Sequence, residues 1–129
     1  MNEHISKIID QRQLVSVMNK TKWRELCGSF SGSDSVSPEI RYKLIFGESI
    51  YGFSAVWWDE VFRDCVAIEW MDFDPFNHEF RGQLVSKKKI EIRNEIFEIF
   101  EKYNIPYSIE GGFYRVWGYI DRHVSPQFV

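Results

Sequence analysis

The sequence predicts an α+β domain in which an antiparallel sheet occupies the middle of the chain and helices pack mainly on one face of it. Three apolar runs between Pro38 and Pro75 are rich in β-branched and aromatic residues, a composition typical of strands. Residues 20–30 and 86–103 carry apolar residues at helical spacing. With one more helix at the start and one strand at the end, the predicted order is α-α-β-β-β-α-β in a single domain, residues 1–129.

The first two predicted helices span residues 4–18 and 20–30. Asn19 is the predicted N-cap of the second helix, because an asparagine side chain accepts hydrogen bonds from the first turn. The apolar stripe of this helix has the spacing i, i+3, i+4 and i+7 and consists of Trp23, Leu26, Cys27 and Phe30. The segment at residues 28–38 is rich in glycine and serine and predicts a surface loop.

The three apolar runs comprise residues 42–46, 50–58 and 65–73, and the short connectors between them predict an antiparallel meander. Strict alternation in the third run places Ile68 and Trp70 on one face of the sheet. The other face then carries Ala67, Glu69, Met71 and Phe73. Because Glu69 lies among apolar residues there, we expect this face to be half solvated and to contact a partner.

The C-terminal part of the chain predicts a helix and then a strand. The helix at residues 86–103 has the clearest periodicity of the chain, formed by Ile92, Ile96, Ile99, Phe100 and Tyr103. The lysines at 87–89 would lie in its first turn, where their charge opposes the helix dipole. Asn104 is expected to end the helix in a left-handed conformation. Residues 113–120 alternate as a last strand after a turn at Gly111-Gly112.

Composition excludes several classes of protein. Hydrophobic residues make up 44% of the chain and aromatic residues 17%, which argues against disorder. The net charge of −3 and the pI of about 5.6 give no basic footprint for nucleic acid, and no apolar run reaches the length of a membrane span. Without a secretory signal, we expect a soluble cytoplasmic protein that contacts neither nucleic acid nor membrane, with Cys27 and Cys65 as free thiols.

No arrangement of residues predicts catalysis, a cofactor or a metal ion. The three histidines lie near the start, in a turn and near the end of the chain, and no nucleophile motif surrounds either cysteine. A metal site could be drawn from Asp72, Asp74, His78 and Glu79, because the sequence from Asp72 begins like a calcium-binding loop. Pro75 and Phe76 interrupt that loop, so the spacing of these residues is not specific for a metal ion. We therefore expect a protein that is not an enzyme and has no catalytic, cofactor-binding or metal-binding residues.

Acidic residues are concentrated between residues 59 and 80, where seven carboxylates and Arg63 alone give a local charge of −6. Such a band suits a basic protein surface, since opposite potentials raise the encounter rate and suppress wrong partners. The predicted partner-binding residues combine these acids with two aromatic anchors: Trp57, Trp58, Asp59, Glu60, Asp64, Asp72, Asp74 and Glu79. The alternative is that the aromatic residues belong to the core and the acids only solvate the rim of the sheet.

Four short motifs resemble a family of small bacterial proteins that open with Asn-Lys-Thr-Lys-Trp. They are Asn19–Leu26, Ala67–Met71, Ile105–Tyr107 and Val116–Tyr119. Members of that family look like the immunity proteins encoded beside contact-dependent or polymorphic toxins. The resemblance covers residues 19–120, leaves the first helix as an addition and carries over no catalytic residue.

The resemblance and the acidic band together imply an immunity protein that binds a cognate toxin domain, for example a nuclease, and occludes its basic active-site surface. Two alternatives remain at this point. One is a small enzyme or ligand-binding domain that uses the carboxylate cluster, and the other is a general protein-interaction module. The sequence leaves the oligomeric state open.

Overall fold

The chain forms four α-helices and nine short strands in a computed structural model that describes residues 3–32, 37–79 and 88–129. The helices are α1 (Glu3–Arg12), α2 (Lys20–Phe30), α3 (Trp58–Asp64) and α4 (Arg93–Lys102). The strands are β1 (Val15–Ser16), β2 (Ile40–Leu44), β3 (Ile50–Ser54), β4 (Ile68–Phe73), β5 (Phe76–Glu79), β6 (Lys88–Glu91), β7 (Tyr107–Glu110), β8 (Phe113–Trp117) and β9 (Tyr119–Ile120). None of the described helices is long and apolar enough to cross a membrane.

The main sheet has five strands in the order β3-β2-β4-β8-β7, with every neighbouring pair antiparallel. Two further antiparallel pairs, β1 with β9 and β5 with β6, lie outside it. The α+β class is confirmed, but the predicted meander is wrong because β2 lies between β3 and β4. The connector from β3 to β4 contains α3 and one 3-10 turn at Cys65–Ala67, and is therefore long enough to pass beyond β2.

The main core lies between one face of this sheet and the helices α2, α3 and α4. The rings of Phe30 in α2 and Phe100 in α4 both pack against Phe73 of β4, with centroid separations of 5.4 and 5.2 Å. Met71 and Phe73 are fully buried there. The prediction of a half-solvated face with Met and Phe is therefore wrong.

A β-bulge in β4 explains that error. Lys43 pairs with Trp70 while Leu44 pairs with Ile68, so Glu69 is an extra residue without a partner in β2. The bulge turns Ile68 towards the main core together with Met71. Simple alternation, which ignores such an insertion, put Ile68 and Trp70 on the same face.

The first helix packs in a separate core cluster. Ile5 of α1 lies there with Leu14, Ile45, Ala67 and Tyr119. Arg12 at the end of α1 donates a hydrogen bond to the carbonyl oxygen of Ile45 and forms an ion pair with Glu69. The predicted first helix is therefore correct in kind but too long, because α1 ends at Arg12 and the chain turns through Gln13 at φ 55°.

The remaining elements match the sequence in part. The bounds of α2 and its Asn19 cap are confirmed, and so is the left-handed Asn104 at φ 53°. The helix predicted at residues 86–103 corresponds to α4 and is confirmed over residues 93–102. It starts later than predicted, because residues 88–91 pair with β5 as a strand. Lys88 and Lys89 therefore do not oppose a helix dipole, and Lys87 lies outside the described residues.

Two strands at the C-terminal end also differ from the prediction. Residues 107–110 form β7, a strand that is not predicted from the sequence. The predicted strand at 113–120 is divided at Gly118 into β8 and β9. A Cβ atom on Gly118 would overlap the carbonyl oxygen of Ile68, so only glycine allows β4 and the β8–β9 connection to approach this closely.

Candidate protein-binding surface

The short helix α3 carries most of the candidate residues, and its sequence explains its formation. Asp59 and Glu60 lie in the first turn and Arg63 in the last, an arrangement that complements the helix dipole. The buried residues Trp58 and Val61 form the inner stripe at i and i+3. The sequence predicts a strand at Trp57 and Trp58, because periodicity cannot distinguish the end of an apolar strand from the start of a short helix.

Trp57, Glu60 and Asp64 form the outward stripe of the same segment at i, i+3 and i+7. All three are exposed, and the exposed fraction of Trp57 is 79%. Asp59 is also exposed beside them. We call Trp57, Asp59, Glu60 and Asp64 together the acidic α3 surface.

A cleft of about 180 Å³ lies between this stripe and residues of β2 and β4 in the main sheet. Its apolar lining comes from Val56, Val61 and Ile68, and its aromatic lining from Tyr42 and Trp57. The carboxylates that complete it are Glu60 and Asp64. The cleft thus combines hydrophobic contact area with negative charge.

A second cleft, of about 440 Å³, lies on the other side of Trp57. It is lined by Phe30 and Ser31 at the end of α2 and by Trp57, Trp58 and Asp59 at the start of α3. Trp57 contributes to both clefts, so a partner that covers this indole would contact both of them.

The carboxylates of the acidic α3 surface form no ion pair with any described residue, although Arg63 lies on the same helix. Lys20 and Arg24 of α2 do contact α3, but their charges lie over the ring of Phe62, at 5.9 and 5.5 Å from its centroid. Phe62 belongs to the side of α3 that faces α2, and the outward stripe is left with negative charge.

Two of the predicted binding residues are buried. Trp58 is 5% exposed and its ring stacks on Phe30 and Phe73, with centroid separations of 5.1 and 6.1 Å. Its indole N–H finds no hydrogen-bond acceptor within the described part of the chain. Asp72 is fully buried on the sheet face opposite the helices, where it pairs with Arg41 and Arg115. Both residues had been predicted from local composition, which does not report the face of the sheet.

The other two predicted residues lie away from α3. A side-chain oxygen of Asp74 accepts a hydrogen bond from the backbone N–H of Phe76 at 3.0 Å and closes the turn between β4 and β5. Glu79 belongs to β5, opposite Lys88 of β6. The acidic band therefore divides, and only Trp57, Asp59, Glu60 and Asp64 come together.

Two residues that shape the smaller cleft, Tyr42 and Val56, are not predicted from the sequence. Tyr42 and Val56 come from strand β2 and from the segment before α3, and they meet only because β2 lies inside β3 in the sheet. No local signal in the sequence marks this pairing.

The two cysteines are free and buried. Burial, together with smaller contributions from the nearby Cys65 and Asp59, raises the pKa of the Cys27 thiol to about 12. Burial also raises the pKa of the Cys65 thiol. Since a nucleophilic cysteine needs a lowered pKa, these environments favour the protonated, unreactive form. Among the described residues, no group of three or more His, Cys, Asp or Glu side chains could hold a metal ion.

A protein-family model described as "Family of unknown function (DUF6678)" matches residues 5–123. No curated protein and no solved structure matches the chain. The matched span begins within α1, so the first helix is part of the family's domain and the expectation that it is an addition was wrong.

Proposed function

We propose that this chain, which belongs to the DUF6678 family of unknown function, is an immunity protein that binds a bacterial toxin domain through the acidic α3 surface. The observation that carries the proposal is the exposure of Trp57, 79%, beside carboxylates that no described residue pairs. A tryptophan so exposed leaves a large apolar side chain in water, and covering it with a partner would stabilise a complex.

In Trp57, the acidic α3 surface has the residue type expected at the centre of a protein-protein interface. Tryptophan is enriched among the residues that dominate binding energy, and such residues lie in patches from which a partner excludes water. Asp59, Glu60 and Asp64 surround Trp57 with negative charge, which would guide a basic partner to it. Many enzymes that cut nucleic acids carry basic surfaces that bind phosphate groups. A protein that blocks such an enzyme can present carboxylates where those phosphate groups would bind.

A carboxylate-dependent enzyme is less well supported by the same geometry. General acid–base chemistry requires carboxylates that converge on one substrate. Asp72 is instead neutralised by two arginines on the opposite face of the sheet, and Asp74 closes a turn. The resemblance of the Asn19–Leu26 motif to immunity proteins favours the toxin-binding form of a protein-interaction function over a general interaction module.

Co-expression with a toxin domain tests the proposal, where the toxin domain is one whose gene lies next to the gene of this protein. The wild-type chain should restore growth of a host that produces the toxin and should form a complex measurable by calorimetry. Trp57→Ala should raise the Kd about 30-fold or more, the factor that corresponds to roughly 2 kcal/mol for a dominant interface residue. The matched control is Ile109→Ala on β7, which truncates another exposed apolar residue, 55% exposed, away from α3.

Two results would contradict the proposal. The first is a wild-type chain that neither protects the host nor binds the toxin domain. The second is an equal loss of affinity for the toxin domain in the Trp57 and Ile109 variants, which would show that the toxin domain does not bind specifically at the acidic α3 surface.

A further inference from the structure

We infer that the cleft of about 180 Å³ beside α3 receives an arginine side chain of the partner. Its volume is smaller than the roughly 300–1,000 Å³ typical of pockets for small molecules and cofactors. A site of this size fits one long side chain. The inference deepens the proposed function and rests on it, because it names the group of the partner that the acidic α3 surface recognises.

The lining of the cleft fits the two parts of an arginine side chain. Val56, Val61 and Ile68 offer apolar contact for its methylene groups, which prefer to leave water even though the head is charged. Tyr42 and Trp57 offer aromatic rings beside them. A guanidinium group stacks on such rings and is attracted by their negative faces.

Glu60 and Asp64 supply the charge that an arginine would neutralise. They are four residues apart on one helix, so their carboxylates are neighbours, and like charges at this spacing destabilise a helix. No described residue relieves that repulsion with an ion pair. A cation placed between Glu60 and Asp64 would remove the repulsion and gain two attractions at once.

Arginine suits this lining better than lysine. Its planar guanidinium has five N–H donors and can pair with two carboxylates while one face remains in contact with an indole. The ammonium of lysine is compact and strongly hydrated, so it gains less from an aromatic wall. The neutral analogue citrulline keeps the shape of arginine and lacks its charge, which allows shape and charge to be separated by experiment.

The test uses the full-length protein and three blocked pentapeptides, Gly-Gly-X-Gly-Gly with X as arginine, lysine or citrulline. Heteronuclear NMR follows backbone amides and the Trp57 indole N–H during each titration. The arginine peptide should shift the signals of residues 55–64, and the citrulline peptide should bind about tenfold more weakly, which equals about 1.4 kcal/mol. The double variant Glu60→Gln/Asp64→Asn should lose the preference for arginine over citrulline.

The control variant Glu95→Gln/Glu98→Gln removes the same charge from exposed positions on α4 and should bind the arginine peptide like the wild type. Equal affinity for arginine and citrulline would overturn the inference, as would equal affinity for arginine and lysine or shifts confined to other surfaces. None of these results tests whether the protein forms a complex with the toxin domain. Conversely, arginine binding in the cleft together with failure of the protection assay would reject only the proposed function.

Discussion

Asp72 shows most clearly how single residues shape this protein. The register places it directly between Arg41 on β2 and Arg115 on β8. Arg41 donates to one carboxylate oxygen from Nε and Nη2 at 3.1 and 2.8 Å, and Arg115 donates to both oxygens at 2.6 and 2.9 Å. The Arg115 guanidinium also lies 3.7 Å from the centroid of the Trp70 ring, so aromatic and ionic contacts hold the same group.

Replacing Asp72 by alanine should destabilise the fold by about 3–5 kcal/mol, because removal of one partner leaves the charges of Arg41 and Arg115 without compensation. Chemical denaturation monitored by tryptophan fluorescence measures the change in the free energy of unfolding. Asp59→Ala is the matched control, since Asp59 is exposed and unpaired within the described residues, and its change should stay within about 0.5 kcal/mol. Similar values for the two variants would refute a structural role for the Asp72 network.

At the scale of whole elements, the sequence predicted what local chemistry determines. The stripe of α2 and its cap were visible because spacing and capping depend on nearby residues. The helix α3 was hidden because the apolar run at 50–58 continues through its first residue, Trp58. Local spacing predicts the residues of β6 as the start of α4, because the pairing of β6 with β5 is a tertiary feature that local spacing does not encode.

The cap of α2 gives a test at this scale. The side-chain oxygen of Asn19 accepts a hydrogen bond from the backbone N–H of Lys22 at 2.8 Å, which satisfies a donor that the helix itself cannot. Asn19→Ala should therefore lower the free energy of unfolding by about 1 kcal/mol, within a range of about 0.5–2 kcal/mol. Asn19→Ser retains a capping oxygen and should recover most of the loss in thermal unfolding experiments. An alanine variant as stable as the serine variant would show that the cap contributes nothing.

At the scale of the whole molecule, the candidate site was only half predictable. Charge counting predicts an acidic segment, and four of its predicted residues, Trp57, Asp59, Glu60 and Asp64, lie together at α3. Counting charges does not show that Asp72 faces the other side of the sheet, because the face depends on the alternation along β4, in which Asp72 lies with Trp70 opposite Met71 and Phe73. Charge counting also does not identify Tyr42, because this residue lines the cleft only as a result of the strand order β3-β2-β4.

The distribution of charge over the molecule predicts how it associates with a basic partner. Reversing Asp59, Glu60 and Asp64 to lysine should slow association and flatten its salt dependence, because charges at the edge of an interface act mainly on the encounter rate. The effect should be largest at low salt, since screening shortens the reach of these charges to about 8 Å at physiological ionic strength.

The matched control reverses Glu95, Glu98 and Glu101 on α4, which changes the formal net charge of −3 by the same amount. Stopped-flow kinetics with the toxin domain should separate the two triple variants by association rate at equal thermal stability. Equal rates would mean that net charge alone steers the encounter and that the position of the carboxylates on α3 has no part in it.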